Sequence, residues 1–414
     1  MNKKIIVIGA GVIGLHCAYF LNQAGLNVEV VESADECAED GCSYGNCGLI
    51  VPSHFVPLAS PAMLHSGIKM LFSSKSPVYL PLGQNIGSMS WFMQFIIASN
   101  RKKVNKAIPT LYKLNIESRK LYSELSLQNQ NRSNYKHLGL LMAATTEQGL
   151  AEEIELAKKA EELGIKTQLL DKSAIKTLEP DIDINVTGAL FYKSDGHIRP
   201  EAHMQWLKKY LSLNGVVFHY HTKVNKFRHQ KGKIIGIETN LGLQKADEFV
   251  LAAGSFSAQL AATAELKIPV IAGKGYSFDV PKKCMQLRTP LILTEAKVAL
   301  TPFNTSVRFG SGMEFNGSIG EIRYRRIQAI LDETRKAFPE MPETKANTLK
   351  IWEGLRPITP TGLPLVGRTV KYKNLLVATG HAMMGVSLGP ITGKIISQLI
   401  LGEKPDFDMD LLHF

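Results

Sequence analysis

Near its start the chain reads KIIVIGAGVIGLHCAYFLNQAGLNVEVVE, residues 4 to 32, a stretch that leaves little freedom in the fold around it. Ile5, Ile6, Val7 and Ile8 make a β-branched run suited to a buried parallel strand. Gly9, Gly11 and Gly14 follow at once, and an apolar helical pattern then runs through Leu15, Ala18, Tyr19 and Leu21 to a stop at Gly25. Gly9 permits a tight turn, Gly11 lets the backbone approach a pyrophosphate, and Gly14 lets helix pack closely on strand. The free N–H groups of the helix N-terminus can then meet the phosphates. A second strand, Asn27 to Val31, delivers Glu32, 18 residues past Gly14, where an acid accepts hydrogen bonds from ribose hydroxyls and repels a ribose phosphate. This unit predicts a Rossmann-type α/β domain that binds FAD or NAD and not NADP.

With 414 residues the chain can bury a large core and is expected to form two domains; its 45% hydrophobic and 21% charged residues are ordinary for a soluble protein. The net charge of +11 could serve nucleic acid, an anionic membrane surface or acidic substrates. The densest basic cluster, Arg101, Lys102, Lys103 and Lys106, follows the apolar stretch Met89 to Ala98. That arrangement suits peripheral membrane contact better than nucleic acid, which is not an expected partner; a solvated helix end in a basic protein explains the same residues. No segment reaches the roughly 18 apolar residues of a membrane span, and a strand starting at Lys4 leaves no room for a leader. The expectation is a cytoplasmic protein, either free or peripheral on the inner face of the membrane. Cys17, Cys37, Cys42, Cys47 and Cys284 are odd in number and lack zinc-site spacing, so they read as free thiols with no metal site.

Further along, helical periodicity marks Trp91 to Ala98, Leu111 to Leu125 and Glu147 to Leu163, and Pro200 opens a helix to about Leu213. Strands are expected at Tyr135 to Ala144, Val186 to Tyr192, Val216 to His219, Lys223 to Arg228, Ile234 to Thr239 and Glu248 to Ala252. Ile268 to Lys350 is again strand-rich, with one helix at Glu321 to Phe338. The nucleotide pieces are therefore expected at 1–50, 195–265 and 350–414, with a second domain inserted as 51–194 and 266–349. Two more segments belong beside a nucleotide. FVLAAG, 249 to 254, is an apolar strand ending in small residues; a plain strand-to-helix turn would look alike. Leu375 to Thr379 runs into GHAMMGVSLGP, where Gly380, Gly385 and Gly389 precede an apolar helix whose N-terminus favours negative charge.

The first glycine motif with Glu32, GCSYGNCG (41–48), FVLAAG, GLRPITPTGLPLVG (354–367) and ATGHAMMGVSLGP (378–390) together resemble, in order and spacing, the D-amino acid dehydrogenase branch of the FAD-dependent amine oxidoreductases. Glycine oxidase, sarcosine oxidase and hydroxyproline dehydrogenases share that superfamily. The resemblance covers essentially the whole chain. It implies a D-amino acid oxidase-like fold: a Rossmann-type FAD-binding domain with an inserted antiparallel-sheet substrate domain, the flavin lying between them. Under it, Ser43, Asn46 and Gly48 line the pyrophosphate and flavin, Val224 meets the adenine, Gly254 borders the ribose side, and Gly385, Val386, Ser387 and Leu388 lie against the flavin's pyrimidine edge. Arg356 matches an arginine that binds the substrate carboxylate, and Tyr276 an aromatic of the substrate face.

Two departures bear on chemistry. Met383 stands where glycine oxidase has a second substrate arginine. No cysteine follows Cys284, so the flavin is expected to be noncovalent, and Arg308 falls near the place of the oxygen-activating lysine of sarcosine oxidase. Oxidation of an α-amine removes a hydride equivalent from Cα to flavin N5, and a guanidinium fork can orient the carboxylate for that transfer. Arg356, between Gly354 and Pro357, is the candidate; Tyr276 is a carboxylate donor, a residue that closes the pocket or a core tyrosine, and His381 a base, a helix cap or a flavin contact. The expected reaction is FAD-dependent dehydrogenation of a D-amino acid or a cyclic imino acid such as a hydroxyproline isomer. The expected acceptor is a quinone or partner protein. The rivals are a peroxide-forming oxidase and an electron-relay subunit without its own substrate.

Overall fold

The structure, a computed structural model, describes residues 3–37, 39, 41–65, 78–79, 86–315 and 319–413. Lys4–Ile8 lies inside a six-stranded sheet whose order is Leu365–Arg368, Leu375–Thr379, Glu248–Leu251, Lys4–Ile8, Asn27–Val31, Val217–His219. All its pairings are parallel except the one between the two C-terminal strands. Buried on both faces, Ile5 to Ile8 need no polar alternation, as their β-branched run indicated. The helix Val12–Gln23 covers one face and is crossed by the C-terminal helix Gly385–Leu401. Close approach explains the small residues there: a Cβ on Gly393 would stand 2.4 Å from the His16 carbonyl oxygen.

His16 also joins the first helix to the helix Pro200–Leu213. Its Nδ1 donates to the Val12 carbonyl at 2.8 Å, so its Nε2 accepts from His203 Nε2–H at 3.0 Å, and His203 Nδ1 accepts from the Ser133 hydroxyl at 3.0 Å. Burial pushes His16 down to about 4 and His203 well below its ordinary value, which keeps the pair neutral.

A larger sheet of nine strands holds the second layer. Along its path lie Trp352–Ile358, Ile271–Pro281, Ser306–Phe315, Val298–Pro302, Leu291–Leu293, Leu140–Ala144, Gly188–Tyr192 and Thr167–Leu170, with Val78–Tyr79 pairing beside Ser306–Phe315. The helix Tyr324–Ala337 packs Ile327, Ile330 and Leu331 against it.

Two departures from the sequence-based division have clear causes. Trp352–Ile358, placed with the nucleotide pieces by its position after residue 350, pairs with Ile271–Pro281 and so belongs to the nine-stranded sheet. The helix Arg101–Gln128 starts ten residues before the expected Leu111 and continues through Pro109. Its Leu111, Leu114, Tyr122 and Leu125 enter the same buried cluster as Leu15, Ala18, Ile391 and Ile395, although residues 51–194 were expected to serve the second domain. Asn100 caps this helix by accepting from Lys103 N–H at 3.0 Å, so the basic run is a helix beginning.

Candidate active site

The glycine turn forms as its sequence requires. Gly9 has φ +106°, and a Cβ there would stand 2.6 Å from the Ala252 carbonyl oxygen; a Cβ on Gly14 would stand 1.8 Å from the Gly9 carbonyl oxygen. Gly11 is different: within 4 Å its Cβ would meet only Ser43 Oγ, at 3.5 Å, so this backbone faces open space of the kind a pyrophosphate fills. Ser43 Oγ accepts from Val12 N–H at 3.1 Å. Glu32 is pinned beside the turn, with Oε2 accepting from Ala10 N–H at 2.7 Å and Oε1 from Ala34 N–H at 2.9 Å. Thr222 N–H donates to the Glu32 carbonyl at 2.8 Å, which brings the strand beginning at Val224 alongside. Gly254 accepts from the Thr379 hydroxyl at 2.9 Å, next to the end of the same sheet.

A second helix N-terminus meets the first. A Cβ on Gly385 would stand 4.0 Å from Val12 Cγ1. The side chains of Val386, Ser387 and Leu388 are buried and turned inward. Ser387 Oγ donates to Asn115 Oδ1 at 2.8 Å and accepts from Val51 N–H at 3.0 Å. The first-turn N–H groups are what this element offers a ligand. Pro390 shapes the turn. Lacking an N–H, it leaves the Val386 carbonyl without its helical donor, and the Tyr122 hydroxyl supplies one at 2.6 Å.

The loop 41–48 closes the site from the sheet side. Asn46 Oδ1 accepts from Gly48 N–H at 2.7 Å, and Asn46 Nδ2 donates to the Met383 carbonyl at 3.4 Å. Arg308 holds the loop in place: it pairs with Glu201 at 3.0 Å and Asp279 at 2.8 Å, and its Nη1 donates to the Tyr44 and Asn46 carbonyls at 3.3 and 3.2 Å. The position compared with an oxygen-activating lysine therefore carries a fully engaged cation.

Beneath that loop one face of the nine-stranded sheet is rich in glycine. The register Gly273↔Arg356, Gly275↔Gly354, Ser277↔Trp352 puts these six residues on one face. Cys47 Sγ sits where a Cβ on Gly310 would be, 2.1 Å away, and the Trp352 indole fills the space above both Gly45 and Gly354. Arg356 lies flat over Gly275, whose Cβ would come within 2.2 Å of its Cζ. Its Nη1 donates to the Gly312 carbonyl, and among the described residues no carboxylate lies within ion-pair distance of it. Burial pulls the guanidinium below its ordinary pKa, while the neighbouring Cys42 and Cys47 oppose this. Those two thiols are themselves pushed up to about 11 by burial and stay neutral.

Two expected catalytic residues are buried in hydrogen bonds of their own. Tyr276 alternates with Gly275 and so faces the opposite side of the sheet, where it is buried and its hydroxyl donates to Glu314 Oε1 at 3.1 Å. It is a core tyrosine. His381 is buried as well, with Nε2 and Thr392 Oγ1 2.9 Å apart, and burial drives its pKa down to about 3. An imidazole so weakly basic is a poor proton acceptor. What single-residue reasoning missed is the glycine face itself; its trace in the sequence is the alternation of Gly273 and Gly275, with Gly310 and Gly354 on the flanking strands.

The family described as FAD dependent oxidoreductase matches residues 4–399. A D-amino acid dehydrogenase of Helicobacter pylori is 29% identical over 416 residues, covering 100% of this chain and 98% of the relative. Among solved structures, glycine oxidase from Geobacillus kaustophilus superposes with a TM-score of 0.78 at 20% identity, over 99% of this chain and 98% of that one. L-proline dehydrogenase from P. horikoshii gives 0.76 at 18% identity, over 100% and 96%. The two structures establish the same overall fold. The open backbone at Gly11, the pinned Glu32 and the paired helix N-termini fit an FAD pyrophosphate and ribose, and with the full-length match they place the chain in the family of FAD dependent oxidoreductases, with FAD as its cofactor.

Proposed function

We propose that the chain dehydrogenates a small amino acid whose carboxylate is held by Arg356. The observation that carries this reading is a half-buried guanidinium with no carboxylate partner among the described residues, laid over Gly275 beside the loop 41–48. A cation removed from water without an ion-pair partner is poised for an anionic ligand, and a planar fork suits a carboxylate. Once bound, Arg356 would hold the substrate by its carboxylate end, with Gly275 leaving the room in which the guanidinium lies flat. The buried Trp91 and the half-buried Phe92 and Phe95, packed with Ile358, Met313 and Phe315, would form an apolar wall for the side chain. When bound, FAD supplies a two-electron acceptor.

On this reading Gly9, Gly11, Gly14, Glu32, Ser43, Asn46, Gly48, Val224, Gly254 and the turn Gly385–Leu388 bind the cofactor without a covalent bond. The full-length likeness to the Helicobacter pylori enzyme favours a D-amino acid; cyclic imino acids such as hydroxyproline isomers are the second class to test. The electron acceptor is read as a quinone or a partner protein, since Arg308 is held by Glu201 and Asp279 and offers oxygen no free cation. Anaerobic titration of the purified yellow protein with D-amino acids, proline and hydroxyproline isomers tests the assignment. Bleaching of the flavin by at least one of them is expected, and reoxidation should be faster with a soluble quinone than with air. No bleaching by any of them would favour an electron-relay subunit, and peroxide formed at the full turnover rate would favour an oxidase.

A further inference from the structure

The helix Ile86–Ala98 contains no charged residue, yet much of it faces solvent. Its described inner side is spent on the protein: Trp91, Phe92 and Phe95 pack against Ile358, Met313 and Phe315, and Trp91 Nε1 donates to the Pro269 carbonyl at 3.2 Å. The other side carries Met89, Met93, Ile96 and Ile97, which are 67%, 54%, 49% and 55% exposed. At 100° per residue these four fall within an arc of about 100°. A solvent-facing helix side normally carries charge. This one carries four large apolar groups.

Directly after it, Arg101, Lys102, Lys103 and Lys106 are exposed in the first turns of the next helix, and none pairs with an acid among the described residues. Cations at a helix N-terminus oppose its dipole, and this first turn holds no acidic residue, so the run weakens its own helix. The imbalance extends further. Residues 41–116 contain no Asp or Glu at all, where the chain's overall 37 acids in 414 residues would place about seven.

We infer that Met89, Met93, Ile96 and Ile97, with Arg101, Lys102, Lys103 and Lys106, form a docking surface for an anionic lipid bilayer. The helix is too short to cross a membrane and would lie in the headgroup layer with its apolar arc inward. The basic turns would rest on the charged lipid surface. Charge selects this occupant over a second copy of the chain, because a self-complementary contact here would bring two clusters of like charge together. The inference deepens the reading of a quinone acceptor, since the inner side of the same helix forms the apolar wall of the candidate site. The binding itself is measured without turnover.

The test is co-sedimentation of the FAD-loaded full chain with vesicles of phosphatidylcholine alone or with roughly a third phosphatidylglycerol. Wild-type protein should sediment with the anionic vesicles and be released as salt rises, and it should bind neutral vesicles far more weakly. Replacing the four cations by Gln should lower the partition coefficient by at least roughly 30-fold, and Met93→Ser with Ile97→Ser by roughly tenfold or more. Equal binding to neutral vesicles, no loss in either variant, or a concentration-dependent dimer that needs Met93 and Ile97 would overturn the proposal. The salt titration of the unmodified protein decides even if a variant folds poorly. Turnover with a soluble dye should be unchanged in both variants; loss of turnover with vesicle binding intact counts against the dehydrogenase reading and not against this surface.

Discussion

Replacing Tyr122 by Phe removes one oxygen atom from a fully buried ring, and the structure indicates where the loss is felt. The Tyr122 hydroxyl is the donor to the Val386 carbonyl, which Pro390 deprives of its helical partner. Without it, that carbonyl stays in a dry site with no donor, at a cost of about 1–3 kcal/mol. The ring contacts with His16 and Tyr135 should survive, since their centroid separations of 5.8 and 6.3 Å do not depend on the hydroxyl. Urea denaturation of the Tyr122→Phe protein, followed by circular dichroism and by flavin fluorescence, measures the loss. A second substitution makes the test specific. Pro390→Ala restores an N–H four residues after Val386, so Tyr122→Phe should cost roughly 1 kcal/mol less in that background. An equal cost in both backgrounds, or a single-variant cost below about 0.5 kcal/mol, would refute the pairing of Tyr122 with Pro390.

Three further outcomes can be checked. His16, His54 and His197 are pushed down to about 4, His381 to about 3 and His203 well below its ordinary value, so the folded state binds fewer protons than the unfolded chain from about pH 6.5 downward. Asp195 and Glu153, raised to about 7, and Glu179, also raised by burial, act the other way, but five histidines outweigh three carboxyls, so stability should fall as pH drops from 6.5 to 4; urea midpoints unchanged over that interval would contradict this. Gly275→Val should displace the Arg356 guanidinium and lower kcat/KM by at least roughly tenfold with FAD content unchanged, whereas loss of FAD instead would place Gly275 at the cofactor. Arg308→Gln leaves Glu201 and Asp279 without their buried partner and should cost about 3–5 kcal/mol while weakening FAD binding; normal stability and flavin retention would show that the loop 41–48 does not depend on it.

Local features of this fold were legible in the sequence. The strand Lys4–Ile8, its glycine turn and Glu32 are fixed by contacts within 30 residues, and their spacing alone brings them together. The C-terminal glycines were also readable, because close helix packing leaves small residues at helical intervals. Features that depend on pairing between distant strands were not. Whether Tyr276 or Gly275 shares a face with Arg356 follows from the register Gly273↔Arg356, and one residue of slip would exchange them. The ion pairing of Arg308 was not legible, because its partner Glu201 lies 107 residues away. Pro109 concealed the first turns of the helix Arg101–Gln128, where burial of Val104, Ala107, Ile108 and Leu111 outweighs the local penalty of the proline.

The central claim is that Arg356 binds the substrate carboxylate, and anaerobic flavin reduction by the best substrate tests it most directly. Removing a bidentate, partly desolvated contact costs roughly 2–5 kcal/mol, so Arg356→Ala should lower kcat/KM by roughly 30- to 5000-fold while FAD content stays unchanged. Arg356→Lys should recover only part, since an ammonium cannot reproduce the planar fork. If Arg356→Ala reduces its flavin within about threefold of wild-type kcat/KM, the carboxylate is bound elsewhere and the site assignment is wrong.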